Sequence, residues 1–192
     1  MLHEIRAYFY AHDVMEVETP VLCQYAGTDP YLDYFSTYGA SDKKKFYLQS
    51  SPEYAMKRLL AANSGSIYQI SKAFRRGESG RHHNPEFTML EWYRVGFNLQ
   101  QLMDDVEHLL AQFLRAEGFS GQAERISYVD VFSNYTGLNA LNFDRLQYQA
   151  VAEKMGFPEA DALCLEDHSA WLDFLFSHIV QLSLGKSGVS MV

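Results

Sequence analysis

Cysteine is scarce. Among 192 residues there are two, Cys23 and Cys164, and neither lies in a Cys-x-x-Cys spacing or a Cys/His cluster. That disfavours both a disulfide framework and a structural zinc site, and it fits a reducing cytoplasm. Long apolar runs are missing as well: no stretch reaches the ~18 residues of a membrane span, and Met1-Leu2-His3-Glu4-Ile5-Arg6 carries charge where a signal peptide needs an apolar core. The chain is therefore expected to be cytoplasmic, neither exported nor inserted. Basic residues are outnumbered, with 16 Lys+Arg against 24 Asp+Glu and a net charge of −8, which argues against a general nucleic-acid binder. No G-x-S-x-G elbow, His-Glu-x-x-His site or G-x-G-x-x-G fingerprint occurs. Gly185-Lys186-Ser187 has the ending of a phosphate-binding loop, but the first glycine of that motif would fall on Val180, so it is rejected.

What is present is apolar and aromatic. Hydrophobic residues make up 47% of the chain and aromatics 15%, enough to bury a core and to leave no room for low-complexity tails. Length implies one domain, or one and a fraction. The basic charge is concentrated: Lys57, Arg58, Lys72, Arg75, Arg76, Arg81 and Arg94 stand against Glu78, Glu86 and Glu91 between positions 57 and 94. A compact basic island on an acidic protein suits a small anionic ligand better than a polyanion, which needs a long stripe.

Hydrophobic spacing predicts a helix over 2–12, an extended segment over 14–20 ended by Pro20, loop and hairpin over 27–45, and a short strand over 46–49. Ser51 is placed to cap a helix with Pro52 at its first position, running to about Ala62. Strands over 67–74 and 87–95 are expected to pair as an antiparallel hairpin around the basic loop Arg75 to Glu86. Alternation puts Phe87, Met89, Glu91 and Tyr93 on one face of the second strand. Asn98 can cap a long helix closing near Gly118, and helices at about 128–135, 144–155 and 167–182 make the C-terminal half helical.

Taken alone, a glutamate among aromatics on a strand fits a paired structural carboxylate as well as a ligand. Arg75 and Arg76 fit a solvated turn, and equally a guanidinium forked onto a phosphate that Gly77 and Gly80 let the backbone approach. His82 and His83 are poor metal ligands because neighbours on an extended segment point apart, and Asp104 with His108 reads as a solvated helix face, so no metal ligands are assigned.

The string Phe74-Arg75-Arg76-Gly77-Glu78-Ser79-Gly80-Arg81-His82-His83-Asn84-Pro85-Glu86-Phe87-Thr88-Met89-Leu90-Glu91-Trp92-Tyr93 closely resembles motif 2 of class II lysyl-tRNA synthetases. Val17-Glu18-Thr19-Pro20 resembles the end of their motif 1, and Ser51-Pro52-Glu53-Tyr54-Ala55-Met56-Lys57-Arg58-Leu59 the start of the substrate-binding helix. Ser-Pro-Glu-Tyr and Leu-Glu-Trp-Tyr-Arg are most similar to the short synthetase paralogues that attach β-lysine to a lysine side chain of elongation factor P. The resemblance implies an α+β fold, the class II catalytic domain: an antiparallel sheet flanked by helices, dimerising through motif 1. It would be one partial domain over 1–192, with motif 1 at about 5–20, motif 2 at about 67–95, a helical insertion at about 98–183, and no anticodon-binding domain.

The same resemblance implies that ATP binds bent, with Arg75 as the catalytic contact to the α-phosphate and Arg76, Gly77 and Glu78 beside it. It implies further that Phe87 stacks on adenine and that His83 and Asn84 hold the nucleotide. Ser51, Glu53, Glu91 and Tyr93 would bind lysine or β-lysine through its ammonium groups. Elongation factor P is the implied acceptor, and tRNA is not an expected partner. Two departures stand out. The synthetase has Arg-Asn-Glu where this chain has Arg75-Arg76-Gly77, with a glutamate only at Glu78. No Gly-x-Gly-x-x-Arg of motif 3 occurs after Gly137, and the acidic ligands for the magnesium that accompanies ATP would precede that motif. The chain is thus expected to stop about two thirds of the way through the family domain and to form little adenylate alone. The alternatives are a piece of a lysyl-tRNA synthetase and an inactive dimerisation or regulatory paralogue.

Overall fold

Helix α1 (Leu2–Ala11) buries Ile5, Tyr8 and Phe9, the one-sided spacing that an amphipathic helix needs to dock on a sheet. Phe9 stacks on Tyr68 with ring centroids 4.3 Å apart and lies 5.7 Å from Trp92. The computed structural model describes residues 1–39, 43–80, 83–114, 122–186 and 189–192, and these fall into two compact units, Met1–Leu102 and Met103–Val192. Among the described residues no helix is long and apolar enough to cross a membrane.

In the first unit, α1 ends at a turn where Asp13 takes φ +53°, a left-handed conformation that Asp tolerates better than most residues. Strand β1 (Met15–Glu16) follows, then β2 (Leu22–Cys23), β3 (Ser36–Tyr38) and β4 (Lys45–Leu48), helix α2 (Glu53–Ala61), and strands β5 (Ile67–Phe74) and β6 (Glu86–Tyr93). One sheet has the order β1-β5-β6 and the other β2-β4-β3. The expected hairpin is present: β5 and β6 pair antiparallel without a break from Ile67↔Tyr93 to Phe74↔Glu86. The expected antiparallel sheet is mixed, because β1 runs parallel to β5 at Met15↔Ile67 and Glu16↔Tyr68. A buried amide links the sheets: Gln49 donates from Nε2 to the Lys72 carbonyl at 2.8 Å, and its own carbonyl accepts the Phe74 N–H at 2.9 Å.

Two boundaries differ from those the sequence predicts. The extended segment 14–20 contributes only two strand residues to β1. Pairing with β2 then begins beyond Pro20, which has no N–H to give a ladder. Pro52 rather than Ser51 caps α2, since its ψ of 2° is not yet helical. Ser51 Oγ still accepts the Glu53 N–H, at 3.4 Å.

Helix α3 (Leu99–Leu114) opens with a reciprocal cap, in which Asn98 Oδ1 accepts the Gln101 N–H and Gln101 Oε1 accepts the Asn98 N–H, both at 2.9 Å. Its expected end near Gly118 lies outside the described residues.

The second unit continues with β7 (Glu124–Arg125), α4 (Tyr128–Thr136), α5 (Arg145–Lys154), α6 (Ala160–Cys164), α7 (His168–Leu175) and β8 (Ser190–Met191). Ser127, Asp144 and Asp167 cap α4, α5 and α7 through their side chains, and Gly137 ends α4 at φ +74°. A π-helical turn, Phe176–Val180, and a 3-10 turn, Gln181–Ser183, extend α7 as one continuous run. Trp171, Tyr148, Phe132, Leu175 and Val180 fill the core of this unit. The half expected to be all-helical also holds a sheet, β7 paired parallel to β8.

Glu107 ties α3 to β7. Its carboxylate accepts from Arg125 Nε at 3.1 Å and from the Ala123 N–H at 3.0 Å, while Arg125 also meets Asp104 at 2.6 Å. The bond to Arg125 holds the Glu107 carboxyl below its ordinary 4.5, against the opposing pull of burial. A lowered folded-state value means stability that is full above the ordinary value and lost as pH falls through the lowered one. Melting temperature should therefore drop between about pH 5 and 3. Glu107→Gln should melt lower at pH 7 and flatten that acid limb. An unchanged acid limb would show that other carboxylates set it.

Candidate active site

Strand alternation decides which side chains of β6 share a face. Because the β5–β6 register has no bulge, Phe87, Met89, Glu91 and Tyr93 line one side, with Phe87 and Glu91 about 13 Å apart along the strand.

At the Phe87 end stands Arg75, the first residue after β5. Its guanidinium carbon lies 5.2 Å from the Phe87 ring centroid, and Nη1 is 3.7 Å from Glu78 Oε1. Arg75 Nε is buried and has no hydrogen-bond partner among the described residues. The loop is pinned by its backbone: Arg75 N–H donates to the Pro85 carbonyl at 3.0 Å, Arg76 N–H to the Asp33 carbonyl at 2.9 Å, and Gly80 N–H to the His83 carbonyl at 3.0 Å. Gly77 sits at φ +83°, a conformation that a side chain there would strain. Arg76, His83 and Asn84 are exposed on this loop. Arg81 and His82 lie outside the described residues.

At the other end, Tyr93 donates its hydroxyl to Glu91 Oε1 at 2.6 Å. Burial first, then the bond to Glu91 and the charges of Glu91 and Glu53, push the Tyr93 hydroxyl far above its ordinary range. Glu53, in the first turn of α2, forms an ion pair with Lys57 one turn on. The Glu53 bond raises the Lys57 ammonium above its usual range, and the Glu91 charge acts in the same direction. Glu53, Glu91, Tyr93 and Lys57 thus form one electrostatic group.

Ser51 sits beside that group, its Oγ accepting the Glu53 N–H at 3.4 Å, and also faces a cavity. Ser51 lines a cavity of about 670 Å³ together with Thr28, Tyr34, Gln49, Tyr54 and Arg58, and neither Glu53 nor Glu91 is part of its wall. Tyr54 Oη and Thr28 Oγ1 meet at 2.5 Å beside it. Lys57 and the Thr28–Tyr54 contact had no part in the sequence reading of the site. The first was legible as an i, i+4 pair, while the second joins positions that no local rule connects. Among the described residues no group of three or more His, Cys, Asp or Glu side chains is placed to hold a metal ion.

A family model described as tRNA synthetases class II (D, K and N) matches residues 1–177. The chain is 45% identical over 191 residues to the elongation factor P (R)-beta-lysine ligase of Haemophilus influenzae (strain PittGG), covering 97% of this chain and 57% of that protein. It is 45% identical over 192 residues to the ligase of the same name from Haemophilus ducreyi, covering 97% and 56%. To that of Pectobacterium carotovorum it is 44% identical over 193 residues, covering 98% and 58%. The chain spans little more than half the length of these curated relatives.

Proposed function

The chain belongs to the class II tRNA synthetases of the D, K and N group, and on that premise we propose that it is part of an ATP-dependent ligase that activates β-lysine as its adenylate and passes it to a lysine side chain of elongation factor P. The observation that carries this reading is the single face of β6. It has a carboxylate and tyrosine suited to an ammonium at one end, and a guanidinium over an aromatic ring suited to a nucleotide at the other.

In the first step the amino-acid carboxylate attacks the α-phosphorus of ATP, a carboxyl–phosphorus bond forms, and the bond to the departing pyrophosphate breaks. Negative charge grows on the α-phosphate oxygens, and the partly exposed guanidinium of Arg75, beside Phe87, is the donor for it. Phe87 offers its free face to adenine, while Arg76, the Gly77 and Glu78 turn, His83 and Asn84 surround the phosphates and ribose. Glu53, Glu91 and Tyr93 hold the substrate ammonium, and Ser51 meets it from the cavity side. In the second step the acceptor's neutral amine attacks the acyl carbon and AMP leaves. The fold proposed to carry these steps is the class II catalytic core, built around the antiparallel β5–β6 pair with helices beside it. Magnesium accompanies ATP in this chemistry.

The test joins pyrophosphate exchange to product identity. With the full-length ligase of which this chain is proposed to be part, ATP–pyrophosphate exchange dependent on β-lysine, with intact-mass analysis showing β-lysine on elongation factor P and none on tRNA, is the expected result; this chain alone should exchange little. Charging of a lysine tRNA instead would make this a synthetase.

A second copy is the expected partner of the α1–β1 surface. Tyr10 is 86% exposed and Met15 51% exposed, and they border a cavity of about 570 Å³ with Arg6, Val14, Glu16 and Tyr68. Large exposed apolar side chains grouped on one face mark an interaction site. Sedimentation at micromolar concentration should give twice the 22.0 kDa chain mass. Tyr10→Glu should shift it toward monomer, and a monomer for the unaltered chain would remove the proposal.

A further inference from the structure

Lys57 puts a lysine ammonium where the proposed substrate would bring one. The Glu53 carboxylate that the reading above assigns to the substrate is already engaged by the Lys57 Nζ on the same face of α2, while Glu91 is engaged by a neutral donor, the Tyr93 hydroxyl. The two carboxylates supply two negative charges, and Lys57 neutralises one of them. A diamino acid brings two ammonium groups, so both carboxylates can be matched by substrate only when Lys57 withdraws.

We infer that Lys57 is an internal stand-in for the substrate ammonium, bound to Glu53 in the free protein and displaced when a diamino acid enters, so that amine binding proceeds by exchange of one ammonium for another. The inference rests on the reading of Glu53, Glu91 and Tyr93 as the ammonium site. The geometry permits the exchange: Lys57 Nζ and Glu53 are both about half-exposed, the lysine stem is flexible, and withdrawal into water leaves the ammonium fully hydrated. The stand-in also has a use in the free protein. It keeps the Glu53 carboxylate paired until a substrate ammonium arrives. The electrostatics agree, since both Glu53 and Glu91 stabilise the charged form of Lys57.

The ordinary alternative is an i, i+4 pair that merely supports the helix. The two differ in what removal of the ammonium does to ligand affinity. Lys57→Met keeps the length of the stem and removes its charge. Calorimetric titration with lysine or β-lysine should give affinity about two- to fivefold tighter than in the unaltered chain, the range expected for losing a half-exposed competing ion pair. Lys57→Arg, which keeps the charge, should give no gain. Competitive acetylation supplies an independent readout: Lys57 should react faster when lysine is added, because its released ammonium loses the stabilisation of Glu53, and should not respond to norleucine. Circular dichroism confirms that the variants fold.

Unchanged or weaker lysine affinity in Lys57→Met, or acetylation of Lys57 indifferent to lysine, overturns the inference and leaves the pair as helix support. If both the unaltered chain and Lys57→Met fail to bind any diamino acid, the inference falls together with the assignment of the ammonium site. If the gain appears but no transfer to elongation factor P is found, the inference stands and the proposed acceptor is wrong.

Discussion

Glu91→Gln is expected to weaken lysine and β-lysine binding by about 10- to 150-fold, the equivalent of losing a hydrogen bond of about 1.5–3 kcal/mol to a charged group. The substitution preserves shape and keeps an acceptor for the Tyr93 hydroxyl, which now donates to Glu91 at 2.6 Å. What disappears is the negative charge, at a half-buried position where water screens it poorly. ATP affinity should stay within about twofold, because Phe87 and Arg75 lie about 13 Å away along the strand. Glu53→Gln should have a smaller effect, since Glu53 loses an internal competitor, Lys57, along with its charge. Equal losses of amine and ATP affinity in Glu91→Gln would show that this carboxylate maintains the sheet rather than the site. Titration calorimetry with each ligand in turn makes the comparison.

In the full-length ligase proposed above, Arg75→Ala should lower the rate of β-lysine-dependent ATP–pyrophosphate exchange by about 10²–10³-fold, the usual consequence of removing one preorganised donor from a developing oxyanion. The residue is fixed before any ligand arrives: its N–H bonds Pro85, its guanidinium lies over Phe87, and Glu78 holds Nη1 from the side. Such preorganisation is what separates a catalytic donor from a mobile surface cation. Arg75→Lys should recover only a small part of the loss, because an ammonium is a point charge and lacks the planar fork that spans two phosphate oxygens. Recovery to within threefold would mean that simple charge suffices. Unaltered exchange in Arg75→Ala would remove Arg75 from the chemistry.

The parts of this fold legible in the sequence are those governed by one short-range rule. The β5–β6 hairpin follows from alternation between a basic turn and two apolar runs, and the eight-residue register agrees with it. Ser127, like Asn98, announces its helix with a side-chain acceptor ahead of an apolar period, and both caps are made. Strands β7 and β8 were hidden because two residues cannot display a period, and their partners lie far apart in sequence. Helix α6 is only five residues long, shorter than the window in which helical spacing can be recognised. The parallel pairing of β1 was equally invisible, since a strand's sequence does not state its partner's direction. At the site, alternation brought Phe87, Glu91 and Tyr93 to one face, but the cavity that Ser51 lines together with Thr28, Tyr34 and Gln49 joins segments far apart in sequence. Packing of that kind is set by many residues at once.

The pairing of β7 with β8 fixes an order of events in folding. Glu124 and Ser190 lie 66 positions apart, and closing a flexible loop of that length costs about 3.7 kcal/mol in chain entropy, before the constant term. Two pairs of strand residues cannot repay this from an open chain. The capped helices and the Trp171 core must first draw the ends together, after which the strands close a nearly finished ring. Amide hydrogens of Ile126 and Glu124, which bond the carbonyls of Met191 and Val189, should therefore exchange through local opening while the Trp171 indole N–H, bound to the Leu165 carbonyl, waits for the whole unit to unfold. The small sheet works as a latch on a helical body that is already assembled.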